Sequence, residues 1–279
     1  MALGEHPELA LPAAAAVELV HNFSLVHDDI QDASPTRRGR RTVWDIWGAH
    51  HGINVGDGLF VLARKALHRL AGSGLSPERL HTITAAFDAA CLCLCEGQFF
   101  DMTFEGRTDV NLDLYLRMIQ LKTAALLAAA AQMGAMVVTD SPKTVDSYRR
   151  FGENLGMAFQ IQDDVMGAWG AESTTGKPSA IDIRDKKKTL PVVYALNQAG
   201  DADASRYLAE LYAQPEPLDP EAVSETLSIL ASVGAREYAE RLAEHYYAEA
   251  LKSLEGIGSE NEAQQALFEL AASLLGREA

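Results

Sequence analysis

Three cysteines, at 91, 93 and 95 within CLCLC, are too few and too crowded for a disulfide framework. On a helix only Cys91 and Cys95 share a face, so a metal site there would need outside ligands, and small buried thiols are the simpler reading. Cations are scarce as well. The chain has 24 Lys and Arg against 39 Asp and Glu, a formal charge of −15, which argues against nucleic acid as a partner because a phosphate backbone needs a basic face. No uninterrupted apolar run approaches the roughly 18–20 residues of a membrane span, so no stable membrane anchor is expected. The opening MALGEHPELALPAAAAVELV lacks the basic start of a secretory signal, and a cytoplasmic location is expected. Alternating apolar and polar residues, the mark of a half-buried strand, are not found either.

What is present is helical periodicity. Hydrophobic residues make up 48% of the chain, ample for a sizeable core. A first helix is expected from the N1 proline Pro12 to about Asp32. Others are expected over about 43–73 (interrupted near Gly52), 78–105, 111–139 and 143–168. Shorter ones follow near 188–199, 202–213, 219–233, 234–254 and 261–276. Gly, Thr and Pro in GAESTTGKPSAIDIRD break the pattern. No linker or repeat divides the chain, so residues 1–279 read as one all-α domain. The stretch LKTAALLAAAAQMGAMVV is apolar nearly all round, as in a helix buried on most sides.

Chemistry concentrates in two acidic segments. In HNFSLVHDDIQD, Asp28 and Asp32 stand i,i+4 on one helix face, with Asp29 beside them and His21 two turns down the same face. Like charges so placed destabilise a bare helix, and a divalent cation reverses that sign. Hard carboxylate oxygens suit Mg2+, which fills its shell with water and substrate phosphates. The second segment, FQIQDDVMGAWG, sets Gln160 i,i+3 and i,i+4 from Asp163 and Asp164 among apolar residues. Each acidic segment is followed by cations: Arg37, Arg38, Arg40 and Arg41 in the first case, Lys177, Arg184, Lys186, Lys187 and Lys188 in the second. Two acidic pairs, each with a cationic loop, fit a diphosphate bridged by Mg2+ and clamped by Arg and Lys.

LVHDDIQDASPTRRGR, LKTA, FQIQDDVMGAWG, TGKP and DIRDKKKTLP occur in the order and spacing of the trans-prenyl diphosphate synthases, and the chain resembles that family from about Leu11 to Pro191. The resemblance implies the all-α isoprenoid synthase bundle around an apolar cavity, usually a homodimer. It implies Mg2+-dependent, head-to-tail joining of isopentenyl diphosphate to an allylic diphosphate. Asp28, Asp32 and Asp163 would hold metal, with Asp29 and Asp164 in support. Arg37, Lys122, Lys177 and Lys186 match the allylic-diphosphate clamp. Thr123 and Gln160 match residues beside the cation, and His21 and Arg38 match contacts to isopentenyl diphosphate.

Two departures stand out. The second motif of the family usually ends in Asp where this chain has Gly167, leaving Asp163 and Asp182 to assist. The family also carries about two further helices ahead of the first motif, with a Gly-Gly-Lys-Arg-type segment for isopentenyl diphosphate. The alternatives are a start assigned too late, which is the expectation, a trimmed chain, or a protein without the usual isopentenyl diphosphate site; a true two-helix deletion would also expose apolar surface on the bundle. Phe23, five residues before Asp28 and about 7.5 Å down the helix, resembles the residue that limits archaeal-type geranylgeranyl enzymes to C20, with C15 the next expectation. Competing readings are a class I terpene cyclase and a non-catalytic regulatory subunit. The lysines after the second motif argue against the first, and the retained acids and clamp against the second.

Overall fold

The computed structural model describes residues 7–170, 180–197, 202–214, 216–257 and 262–275. Long helices dominate: α1 Leu11–Gln31, α2 Val43–Trp47, α3 Ala49–His68, α4 Pro77–Phe104, α5 Leu112–Ile119, α6 Ala125–Val138 and α7 Pro142–Trp169. Then come α8 Ile181–Arg184, α9 Leu190–Leu196, α10 Ala202–Ala213, α11 Pro220–Ser232, α12 Ala235–Ser253 and α13 Glu262–Leu275. Local chemistry sets several starts. Ser76, Ser141 and Asp219 each precede a proline, and each side chain accepts a backbone N–H from the first turn of α4, α7 or α11.

The expected helices are found, with four differences. The break near Gly52 falls instead at Gly48, whose φ of 87° stops α2 before α3 begins. The expected helix over 111–139 is interrupted by a π-helical turn, Gln120–Ala124. The short helix α8 lies inside the segment expected to be irregular. The arginine loop, expected to hold no strand, forms a minimal antiparallel pair, β1 Thr36–Arg37 with β2 Arg40–Arg41, turning through Gly39 at φ 73°.

α1 packs along α3, and α4 and α7 flank the α5–π-turn–α6 column, with α12 against α7. Ala16, Val20, Ala63, Phe87, Leu94 and Met133 form the core of the first half. Tyr115, Ile119, Ile161, Val165, Leu190 and Val193 form the core behind the second motif. α6 is buried on several faces, as its composition demands, through Leu126, Ala129, Met133 and Met136. Two glycines permit close approach to the π turn. A Cβ on Gly97 of α4 would lie 2.2 Å from the backbone N of Lys122, and one on Gly156 of α7 would lie 2.5 Å from Ala124 Cα.

Of the three cysteines only Cys91 is buried, and burial pushes its thiol up to about 11; Cys95 is exposed. The expectation of no membrane-length apolar segment is corrected. Pro7–Gln31, Pro77–Phe104 and Leu112–Val138 are each long and apolar enough to cross a bilayer, because isolated polar residues interrupt the runs without lowering the helix average below that level.

Candidate active site

The C-terminal end of α1 gathers the first cluster. Arg37 of β1, brought back by the turn that follows α1, donates from Nε to Asp29 Oδ1 at 2.7 Å and from Nη2 to Asp28 Oδ2 at 3.0 Å. Asp28 Oδ1 also accepts from Lys122 Nζ and from Gln98 Nε2, both at 3.3 Å. Lys122 in turn holds Asp101 Oδ2 at 2.5 Å. Burial would raise the Asp28 carboxyl, but Lys122, Arg37 and Lys187 outweigh it and hold it below its usual range. Asp32 goes the other way. Burial and the neighbouring Asp28 raise it, with only partial relief from Lys187 at 3.5 Å. The i,i+4 repulsion expected from the sequence is therefore present and only partly relieved at Asp32.

The second cluster hangs on α7. Asp164 is buried, and its Oδ2 accepts from Leu190 N at 2.7 Å and from the Tyr115 hydroxyl. Its Oδ1 accepts from Gln160 Nε2 at 3.2 Å, while Gln160 Oε1 accepts from Thr123 Oγ1 at 2.7 Å. Burial pushes Asp164 up to about 7 despite these three donors. Asp163 next to it is exposed and faces outward. Asp164 thus braces the motif, and Asp163 presents the carboxylate. Thr123 lies in the π turn, an irregularity frequent at functional sites.

The three consecutive lysines go three ways. Lys186 donates to the backbone carbonyl of Gln214, away from the acids. Lys187 reaches Asp32, and its ammonium is raised, against burial, by Asp182, Asp32, Asp28 and Asp101. Lys188 is buried with Nζ 4.7 Å from the Tyr212 ring centroid, and burial lowers it to about 8. The expected clamp residue Lys186 is thereby displaced by its neighbour: Lys186 sits at φ 55°, and this left-handed residue turns the next side chain toward the site. Arg184 is likewise diverted, to Asp185 at 2.8 Å. Lys177 lies outside the described residues.

His21 and Arg38 share one exposed surface beside Arg37. Partial burial lowers the His21 imidazole, Glu18 opposes this, and Arg38 and Arg37 add to the lowering. Phe23 turns toward α3, with ring centroids 5.3 Å from Phe60 and 4.8 Å from His27. Ser24, i−4 from Asp28, occupies the acidic face. Sequence reading missed Gln98, Asp101 and Tyr115, and it placed Lys187 in the cation cluster without singling it out for the clamp. The spacing i,i+3 of Gln98 and Asp101 in an apolar helix was the available signal. Among the described residues four non-glycines have left-handed φ, namely Ala33, Arg38, Ala180 and Lys186. All four lie in the two loops that follow the acidic helices, where strain of this kind gathers at functional sites.

No group of three or more His, Cys, Asp or Glu closes around a metal position among the described residues. The donors are instead all-oxygen and arranged as pairs with open sides. That donor set fits Mg2+, which takes one or two carboxylates and completes its shell with water and phosphate oxygens. Asp28 and Asp32 would hold it on one side and Asp163 on the other.

The polyprenyl synthetase family model matches residues 1–230. A geranylgeranyl diphosphate synthase of Mycobacterium tuberculosis is 40% identical over 245 residues, covering 88% of this chain and 68% of that protein. A (2E,6E)-farnesyl diphosphate synthase of Mycobacterium bovis is 36% identical over 283 residues, covering 100% of this chain and 76% of that protein. The crystal structure of a geranylgeranyl pyrophosphate synthetase from Pyrococcus horikoshii superposes with a TM-score of 0.92 at 36% identity, covering 99% of this chain and 82% of that one. Helical order, paired carboxylates and these similarities agree: the chain belongs to the polyprenyl synthetase family, has the all-α isoprenoid synthase fold, and is a trans-prenyl diphosphate synthase.

Proposed function

We propose that the enzyme joins isopentenyl diphosphate head to tail to an allylic diphosphate, with Mg2+, to give mainly a C20 product. The observation that carries this reading is the pairing of Asp28, Asp29 and Asp32 with Arg37, Lys122 and Lys187 at one helix end. Acids and cations neutralise one another there, so a metal–diphosphate unit can take both sets together. Bound Mg2+ would supply charge stabilisation for the departing diphosphate. Arg37, Lys122 and Lys187 would exchange carboxylate for phosphate oxygens and hold the leaving group in place. The Thr123 and Gln160 oxygens would face the positive carbon, and the apolar helices around them would exclude water. His21 and Arg38 would meet the diphosphate of isopentenyl diphosphate. Phe23, braced by Phe60, supports the C20 reading, with C15 as the neighbouring product. The cyclase and regulatory-subunit readings are not favoured, since both acidic helices keep their carboxylates and the first keeps its cations. Residues 1–279 are read as one domain, working as a homodimer in the cytoplasm.

The test is a product assay. The chain is incubated with Mg2+, isopentenyl diphosphate and each of dimethylallyl, geranyl and farnesyl diphosphate, and the dephosphorylated products are sized by chromatography. Accumulation of the C20 alcohol is expected. Consumption of allylic diphosphate with no elongation would replace this reading with a cyclase or hydrolase.

A further inference from the structure

We infer that Tyr212, at the end of α10 and outside both acidic motifs, is a positioning residue for the reaction: its ring holds Lys188 on one side of the lysine run and so directs Lys187 to the diphosphate. This rests on the proposed place of Lys187 at the diphosphate. Lys186 is turned aside by its own left-handed backbone, which leaves two adjacent lysines of equal chemistry. Residues 187–189 carry no helix or turn, and neighbouring side chains on such a stretch leave the backbone on opposite sides. Whatever holds Lys188 therefore aims Lys187. Lys187 reaches Asp32 at 3.5 Å, while Lys188 Nζ stands 4.7 Å from the Tyr212 ring centroid.

The setting of Lys188 separates this role from simple packing. The residue is 7% exposed, and its Nζ has no hydrogen-bond partner among the described residues. A buried ammonium without an acceptor has only the ring face to take the place of water, so it rests at one spot and does not slide over the core. A position filled for packing alone would carry an apolar side chain, since burial and Lys186 both work against the charge and Glu105 offsets them only in part. Tyr212 is itself 1% exposed and fixed among Ile183, Val192, Leu208 and Leu230. Its hydroxyl has no partner among the described residues, so the ring is the working part. The loop is tied to the chain beyond α10 at its other end as well, where Leu218 N donates to Arg184 O at 2.9 Å. The end of α10 and the turn after it thus grip the loop on one side, and the acids receive Lys187 on the other.

The test is steady-state kinetics on the full chain, with Mg2+, isopentenyl diphosphate and the allylic diphosphate that supports elongation, reading kcat and KM separately. The variants are Tyr212→Leu, Tyr212→Phe and Lys188→Met, each alone and combined with Lys187→Met. Tyr212→Leu is expected to lower kcat about 10-fold or more, the scale of a misplaced group at the reacting centre. Tyr212→Phe keeps the ring face and is expected to recover kcat to within about 2-fold of wild type. In the Lys187→Met background Tyr212→Leu is expected to change kcat by no more than about 2-fold, because it acts only through Lys187; a loss from poorer packing would reappear there in full. Lys188→Met removes a buried charge, so it should unfold in urea no earlier than wild type, yet show the same loss of kcat and the same dependence on Lys187. It decides the matter should Tyr212→Leu fail to fold. Wild-type kcat in Tyr212→Leu or in Lys188→Met overturns the inference, as does a full further loss on top of Lys187→Met. A Lys187→Met enzyme as fast as wild type would overturn the place of Lys187 at the diphosphate as well; an impaired Lys187→Met beside an unaffected Tyr212→Leu overturns this inference alone.

Discussion

Lys186 and Lys187 differ in nothing the sequence shows except their order, yet one backbone angle sends them apart. With Lys186 at φ 55°, its ammonium caps the Gln214 carbonyl while Lys187 enters the field of Asp182, Asp32, Asp28 and Asp101. Lys187→Met is therefore expected to lower kcat about 100-fold or more, the loss typical of removing one charge-stabilising donor. Lys186→Met should stay within about 3-fold, and steady-state kinetics on the pair checks the assignment. A second residue-level consequence concerns Asp164. Its folded-state carboxyl holds a proton up to about 7, whereas the unfolded chain releases it near 3.8. Between those values the native state binds more protons, so its stability falls as pH rises through the window and levels off above it. Asp164→Asn should remove that slope. Urea unfolding from pH 4 to 8 should show the variant gaining on wild type by on the order of 4 kcal/mol across the window, at about 1.4 kcal/mol per pKa unit. Parallel curves for the two proteins would mean that the three donors keep Asp164 ionised throughout.

At the level of elements, the site is built from three helix ends and one irregular turn. The π turn carries Lys122 and Thr123, and it nests between α4 and α7 because Gly97 and Gly156 leave room for its backbone. Phe23 works at the same scale, since its ring closes the seam between α1 and α3 against Phe60 while small Ser24 lines the face below Asp28. Opening that seam should deepen the space available to the growing chain. Phe23→Ala is expected to shift the main product from C20 to C25 or longer, read by chromatography of the dephosphorylated alcohols, and an unchanged profile would remove Phe23 from length control. Most of these elements were legible beforehand, because 3.6-residue periodicity and Ser-Pro or Asp-Pro starts are local signals. The acidic faces were legible for the same reason. The irregular pieces were not. The π turn depends on two neighbouring helices approaching at glycines, α8 is held by packing against α7 and α11, and the choice of Lys187 over Lys186 follows from one left-handed residue. Each is decided by tertiary contacts that spacing along the chain does not encode.

Across the whole molecule, apolar surface is distributed unevenly. α3 exposes Val55 and Leu62, seven residues apart on one face, and α4 exposes Leu92 and Phe99 with the same spacing. Ile46 and Trp47 of α2 are exposed nearby in sequence. Solitary exposed leucines are ordinary, but paired stripes on two consecutive helices are the pattern of a face covered by another protein surface. Under the proposed homodimer, a second copy of the chain would cover it, since an isologous contact pairs the same patch on both subunits. The consequence reaches the site through α4. Phe99 lies between Gln98, which touches Asp28, and the turn that carries Asp101, which holds Lys122. Burying Phe99 against a partner would fix the helix that aims both residues. Leu62→Asp/Leu92→Asp should weaken association at least about 100-fold, equivalent to roughly 2.7 kcal/mol, since each charge would lose its water in the contact. Size-exclusion chromatography with light scattering should then read the monomer mass where wild type reads twice that value. Activity should fall with it, most visibly as a rise in the Mg2+ needed for half-maximal rate, because a looser α4 leaves Lys122 and Asp28 poorly placed. A monomeric wild type would remove the homodimer from the reading. A monomeric variant with unchanged Mg2+ dependence would show that α4 is held well enough by α6 and the π turn alone.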